Sequence, residues 1–115
     1  MIQRIIEHDL YDVLKRYQGV MIGYSAGAMI QLDRYHLTPD ADYEAFSYEK
    51  GLGCLTGFDI EVHYKDSKVQ NEAISKVLTE HKIPVYALYD DGGLLIQKQS
   101  ITPIGRYKFF DINEI

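Results

Sequence analysis

Val20-Met21-Ile22-Gly23-Tyr24-Ser25-Ala26-Gly27-Ala28 decides how the rest of the chain is read. The first five residues form a continuous apolar run, too short for a helix, and predict a strand buried on both faces. Ser25, Ala26 and Gly27 turn the chain, and Ala28-Met29-Ile30-Gln31-Leu32 opens a helical pattern. Strand, tight turn and helix in succession point to an α/β layout. Gly23 to Gly27 also fits G-x-S-x-G, and it stands where that motif has mechanical meaning, between a buried strand and a helix. The glycines permit a tight turn because side chains there would collide with the neighbouring elements. The turn then presents the serine hydroxyl at the strand's C-terminal end.

Toward the N-terminus, Ile2, Ile5, Ile6, Leu10, Val13, Leu14 and Tyr17 recur three or four apart and predict one helix over residues 2–17, with Gly19 as its stop. On the other side, residues 36–53 are rich in turn formers (Pro39, Asp40, Asp42, Gly51, Gly53) and read as an irregular connection. Residues 58–64 alternate at period two and predict a strand. Asp66 or Ser67 caps the next helix, and Ser67 with Gln70 matches a capping box. Val69, Ala73, Ile74, Val77 and Leu78 form its buried face, and Pro84 marks its end. Residues 85–89 predict another buried strand, and Asp90-Asp91-Gly92-Gly93 a turn. Residues 94–97, 100–104 and 107–112 predict short strands joined as a meander. The resulting fold class is α/β: a mainly parallel sheet with flanking helices, ending in a short β meander.

A length of 115 residues and a mass of 13.3 kDa make residues 1–115 one domain. Hydrophobic residues at 46% and charged residues at 25% are globular values and exclude disorder for the bulk of the chain. A net charge of −5 argues against nucleic acid as a partner. The single cysteine, Cys54, excludes an internal disulfide framework and a multi-cysteine zinc site. Arg4, Glu7, His8, Asp9 and Asp12 break any signal-peptide core near the start. The apolar stretch over residues 20–30 is interrupted by Gly23, Ser25 and Gly27 and is too short to span a bilayer. No membrane association and a cytoplasmic location are expected.

A serine at its ordinary pKa needs a base. His63 ends the strand after the nucleophile turn, and in a parallel sheet the C-terminal ends of neighbouring strands face one crevice. His63 is therefore the candidate base for Ser25. His8, His36 and His81 are assigned surface or capping roles. Asp40, Asp90 and Asp91 are the candidates for the group that orients the imidazole, and spacing does not choose among them. Backbone N–H groups at the start of the helix after Ser25 are positioned for a developing oxyanion. Cys54 reads as a small packed residue.

With these residues in view the chain resembles the peptidase E family, the aspartyl dipeptidases and cyanophycinase relatives. Gly23-Tyr-Ser-Ala-Gly-Ala28 and Gly51-Leu-Gly-Cys-Leu-Thr-Gly-Phe-Asp-Ile-Glu-Val-His63-Tyr carry the resemblance, which runs from the first helix to about Leu94. It implies a serine peptidase on the flavodoxin-like fold of class I glutamine amidotransferases. Ser25 matches the family nucleophile and His63 the base. Asp40 matches an aspartate assigned to the triad in some members, and Asp90 an acidic residue also proposed for it. Family members carry several more elements before the nucleophile strand, including a glycine-rich turn that contributes to the oxyanion hole. This chain resembles the C-terminal half, keeping the Ala26 N–H as oxyanion donor.

Three functions follow as expectations. The first is a serine peptidase of the peptidase E type, cleaving short peptides through a Ser-His-acid triad without metal or organic cofactor. The second is a truncated, weak or inactive relative serving as a binding or assembly module. The third is an amidotransferase-like domain, against which the serine in place of that group's cysteine counts. By family analogy an aspartyl substrate needs a cationic pocket, for which Arg34 and Arg106 are the candidates. The apolar face of the first helix and an uncovered strand edge predict a homodimer.

Overall fold

The computed structural model describes residues 2–40, 44–98 and 100–114. It shows a mixed α/β fold with three small sheets. The expected first helix is two helices, α1 (Ile2–Glu7) and α2 (Tyr11–Arg16). Asp9 breaks them at φ 57°. Its N–H donates to Ile6 O (3.0 Å) and that of Leu10 to Ile5 O (3.0 Å), the paired bonds that close a helix with a left-handed residue. The apolar periodicity runs on across the break because both helices turn residues to the same cluster: Ile2, Ile5, Tyr11 and Leu14 pack on it.

Residues 20–24 are not a strand, which corrects the sequence expectation. Val20, Ile22 and Tyr24 are 82%, 90% and 73% exposed. A strand buried on both faces needs neighbours at its edges, and no strand among the described residues pairs with this segment. The helix that follows, α3 (Ala26–Met29), is a single turn. Residues 36–53 are not an irregular connection throughout. The strands β1 (Arg34–Leu37) and β2 (Ser47–Lys50) pair antiparallel, with His36 opposite Tyr48. Pro39 and Asp40 lie in the loop of this hairpin, as turn formers should.

The βαβ unit that the sequence predicted is present in shortened form. β3 (Asp59–Glu61) runs parallel to β4 (Val85–Leu88), joined by α4 (Lys68–His81). Ser67 caps α4, its hydroxyl accepting from the Gln70 N–H. Ile74, Val77 and Leu78 of α4 pack with Tyr64, Val85 and Ala87 into one of two core clusters. The expected terminal meander is corrected too. β5 (Gly93–Gln97) and β6 (Ser100–Ile104) form a separate hairpin, and β7 (Tyr107–Phe110) leaves it to pair antiparallel with β4. Phe110 and Phe109 thereby stand opposite Val85 and Tyr86, so the last strand spends its aromatic residues on the β4 edge. Most strand pairs are consequently antiparallel, with β3–β4 the parallel one. Among the described residues no helix is long and apolar enough to cross a membrane.

A buried ionic cluster ties the β1–β2 hairpin to β3. His36 is 2% exposed, where a surface or capping role had been expected. Its Nδ1 lies 2.8 Å from Asp59 Oδ2 and its Nε2 2.7 Å from Glu61 Oε1. Two carboxylate partners require both ring nitrogens to donate, so the ring is an imidazolium. Burial alone pulls its pKa down; the hydrogen bonds and charges of Asp59 and Glu61 outweigh that and push it up from 6.5 to about 9.

Because the folded value lies above the unfolded one, this contribution to stability is complete below pH 6.5 and is lost as pH rises through about 9. The denaturant midpoint is expected to fall across that window. A His36→Asn variant should be less stable at pH 6.5 and lack the slope. A wild-type midpoint that stays level through pH 9 would contradict the assignment of an imidazolium here.

Candidate active site

Ser25 stands at the N-terminal boundary of α3 with φ 54° and ψ −115°, a conformation that costs a non-glycine residue about 1–3 kcal/mol. A serine at this position ordinarily caps the helix with its own hydroxyl. Here the side chain makes no capping bond. The positive φ swings the hydroxyl out of the turn and leaves it free for another partner. The turn is closed by Gly27 N–H to Tyr24 O (2.9 Å) and Ala28 N–H to Ser25 O (3.0 Å). A Cβ on Gly23 would run into the carbonyl of Gly27 and the amide of Gln31, so glycine is required there. A Cβ on Gly27 would meet nothing, which corrects the expectation that both glycines are sterically needed.

The partner of the Ser25 hydroxyl is His63. Its Nε2 lies 3.0 Å from Ser25 Oγ, and its Nδ1 lies 2.7 Å from Asp90 Oδ1. The parallel pairing of β3 and β4 brings this about. His63 follows β3 and Asp90 follows β4, so both emerge at the same edge of the sheet. The carboxylate accepts from Nδ1–H, which leaves Nε2 as the acceptor for the Ser25 O–H. The ring of Tyr24 stands edge-on to His63 at 5.7 Å. His63 has φ 52°, a second strained backbone beside the first. The side chains of His63 and Asp90 are 43% and 70% exposed, so the pair faces solvent.

Both ring nitrogens of His63 are thus occupied, and Asp40 and Asp91 take no part in this string. Asp40 lies in the β1–β2 loop. Ala26 is the first residue of α3, and its N–H has no acceptor among the described residues, as at any helix start. Of the two candidate cations, Arg34 is hydrogen-bonded to His81 Nδ1 (3.0 Å), and Arg106 stacks on the Tyr89 ring at 4.2 Å, next to Asp90. A cleft of about 630 Å³ opens from Ser25 between residues 17–25 and the sheet. Phe58, Ile60, Val62 and Leu94 give it an apolar wall, Cys54 lies on it, and none of its lining residues among those described is a lysine or arginine. Among the described residues no group of three or more His, Cys, Asp or Glu is arranged to hold a metal ion.

What sequence reasoning missed lies beneath His63: Asp59, Glu61 and Gln70 are buried polar residues joined to His36. The available signal was Asp59-Ile60-Glu61, two acids at strand spacing that share a face.

An α/β chain whose serine at a strained turn meets a histidine and an aspartate has the arrangement of a serine hydrolase. The model of peptidase family S51 matches residues 1–104, and the chain belongs to that family, the peptidase E family. Membership implies a serine peptidase of the peptidase E type. The chain matches none of the curated proteins compared with it.

The two glycines offer a contrast. Gly23→Ala should displace Ser25 and slow its labelling by a fluorophosphonate at least ~10-fold, since misplacement of reacting atoms by about 1 Å costs as much as 10². Gly27→Ala should label at the wild-type rate. Equal behaviour of the two variants would remove the steric account of the turn.

Proposed function

We propose that this chain is a serine peptidase that cleaves short peptides through Ser25, His63 and Asp90, on a fold of the class I glutamine amidotransferase (flavodoxin-like) kind. The observation that carries the reading is the unbroken string from Ser25 Oγ through His63 to Asp90, with contacts of 3.0 Å and 2.7 Å. Ser25 Oγ attacks the scissile carbonyl while His63 Nε2 takes its proton. Asp90 holds the ring in the Nδ1–H tautomer and stabilises the imidazolium as it forms. The Ala26 N–H donates to the oxyanion. His63 then returns the proton to the leaving amine, and water, deprotonated by the same nitrogen, releases the acyl group from Ser25. The apolar cleft wall favours a neutral acyl side chain over the aspartyl group that the family analogy suggests. A catalytically weak relative serving as a binding module is the second reading. It rests on the exposure of His63 and Asp90, where water screens the pair.

Fluorophosphonate labelling read by mass spectrometry tests the assignment. Label is expected on Ser25, and none in Ser25→Ala. Asp90→Asn should lower the rate by roughly 10²–10⁴, the upper figure being that of a buried triad aspartate. Asp40→Asn should leave it unchanged. An unlabelled folded protein would favour the second reading, and an Asp40→Asn defect equal to that of Asp90→Asn would reassign the orienting acid.

The exposed Val20, Ile22 and Tyr24 support the further proposal of a homodimer that covers them. Sedimentation should give twice the 13.3 kDa chain mass, and Ile22→Lys should return it to one. A wild-type monomer at high concentration would refute this.

A further inference from the structure

His63 performs its proposed role from a left-handed backbone conformation, at φ 52°. Such a residue is held only where its surroundings over-determine it. The surroundings are specific. Gln70, on the first turn of α4, reaches under β3 and places its side-chain amide 3.0 Å from the His63 carbonyl. The same nitrogen lies 3.3 Å from Glu61 Oε2. An amide nitrogen has two hydrogens, so it can serve both acceptors. The orientation of the amide is fixed from its other end, where Oε1 accepts from the Lys65 N–H (2.9 Å) and the Ser67 hydroxyl (3.0 Å). A flipped amide would set its one nitrogen against both of those donors.

Glu61 is in turn immobile. Its Oε1 accepts from His36 Nε2 (2.7 Å) and from the Thr38 hydroxyl (2.6 Å). Its other oxygen is therefore the one left to face Gln70. Asp59 holds the far nitrogen of the His36 ring. The string runs from Asp59 through His36, Glu61 and Gln70 to the main chain of His63, and all four residues are buried. None of them touches Ser25 or Asp90 by hydrogen bond. Gln70 meets the site at the carbonyl of the residue whose backbone is strained.

We propose that Gln70, fixed against the His36–Glu61 pair, is a positioning residue that holds the left-handed backbone of His63 and so keeps its ring on both Ser25 and Asp90. This rests on the reading of Ser25 as nucleophile and His63 as base. Without the amide, His63 relaxes toward negative φ and the ring leaves the line between the two side chains.

The test uses three variants of the whole chain. Gln70→Met keeps the length of the side chain and removes its donors and acceptor. Gln70→Glu keeps an acceptor for Lys65 and Ser67 but turns an oxygen on Glu61 and the His63 carbonyl. Val77→Ala trims the buried face of α4 and leaves every hydrogen bond of the Gln70 amide in place. Two readouts are taken on folded protein: the fluorophosphonate labelling rate of Ser25, and the ring ¹⁵N shifts of His63, which report its tautomer. Both Gln70 variants should slow labelling by ~10–100-fold, the scale on which small misplacements act. Both should shift neutral His63 from the Nδ1–H toward the Nε2–H tautomer. Val77→Ala should lose stability and change neither readout.

Wild-type labelling and tautomer in either folded Gln70 variant would overturn the proposal, as would a folded Val77→Ala protein that loses both. If the wild type itself fails to label, the nucleophile reading falls. The tautomer shift then still decides whether Gln70 positions His63.

Discussion

The structure depends on one charged ring placed out of reach of water. His36 lies between Asp59 and Glu61 with a hydrogen bond to each, and this contact fastens a hairpin to a three-residue strand. A strand that short has few ladder bonds of its own. Its pairing with β4 supplies one edge, and the imidazolium supplies a side-chain anchor near the other. Breaking a buried ion pair by removing one member is costly because the other is left uncompensated, typically by about 3–5 kcal/mol. Replacing the whole cluster with apolar residues would cost much less by the same reasoning. What the charges add is a fixed end for β3 and, through Gln70, a fixed direction for His63.

The site itself is built from two strained residues set against each other. Ser25 and His63 both have positive φ. The glycine-lined turn supports Ser25, and the polar string beneath β3 supports His63. Parallel strands bring the two loops to one edge, and Asp90 arrives there from β4 at no further cost in topology. What remains open is the solvent side, where residues 20–24 stand away from the sheet and the cleft runs behind them.

The meeting of the Ser25 and His63 side chains was more legible than the architecture around them. G-x-S-x-G marked Ser25 as a turn residue, and His63 was expected beside it from the period-two run over residues 58–64; the two side chains lie 3.0 Å apart, with His63 just past β3. That Asp90 lies 2.7 Å from His63 Nδ1 needed coordinates, since Asp40, Asp90 and Asp91 all read as turn formers. The apolar composition of residues 20–24 predicted burial, but burial depends on neighbours, and a run of side chains says nothing about whether they are in place. β7 was misjudged because adjacency in sequence favours a meander, whereas the Phe109 and Phe110 edge fits β4. His36 was misjudged because its partners lie 23 and 25 positions away and no local period connects them.

Whether Ser25, His63 and Asp90 act as one device is measured most directly by combining their removals. The labelling rate of Ser25 would be compared in His63→Ala, Asp90→Ala and the double variant. Groups that work as a unit are strongly non-additive, because Asp90 acts only through the ring that His63 carries. The account predicts that the double variant labels at the rate of His63→Ala alone. Losses that multiply in the double variant would show that Asp90 acts independently of His63, and would contradict the account.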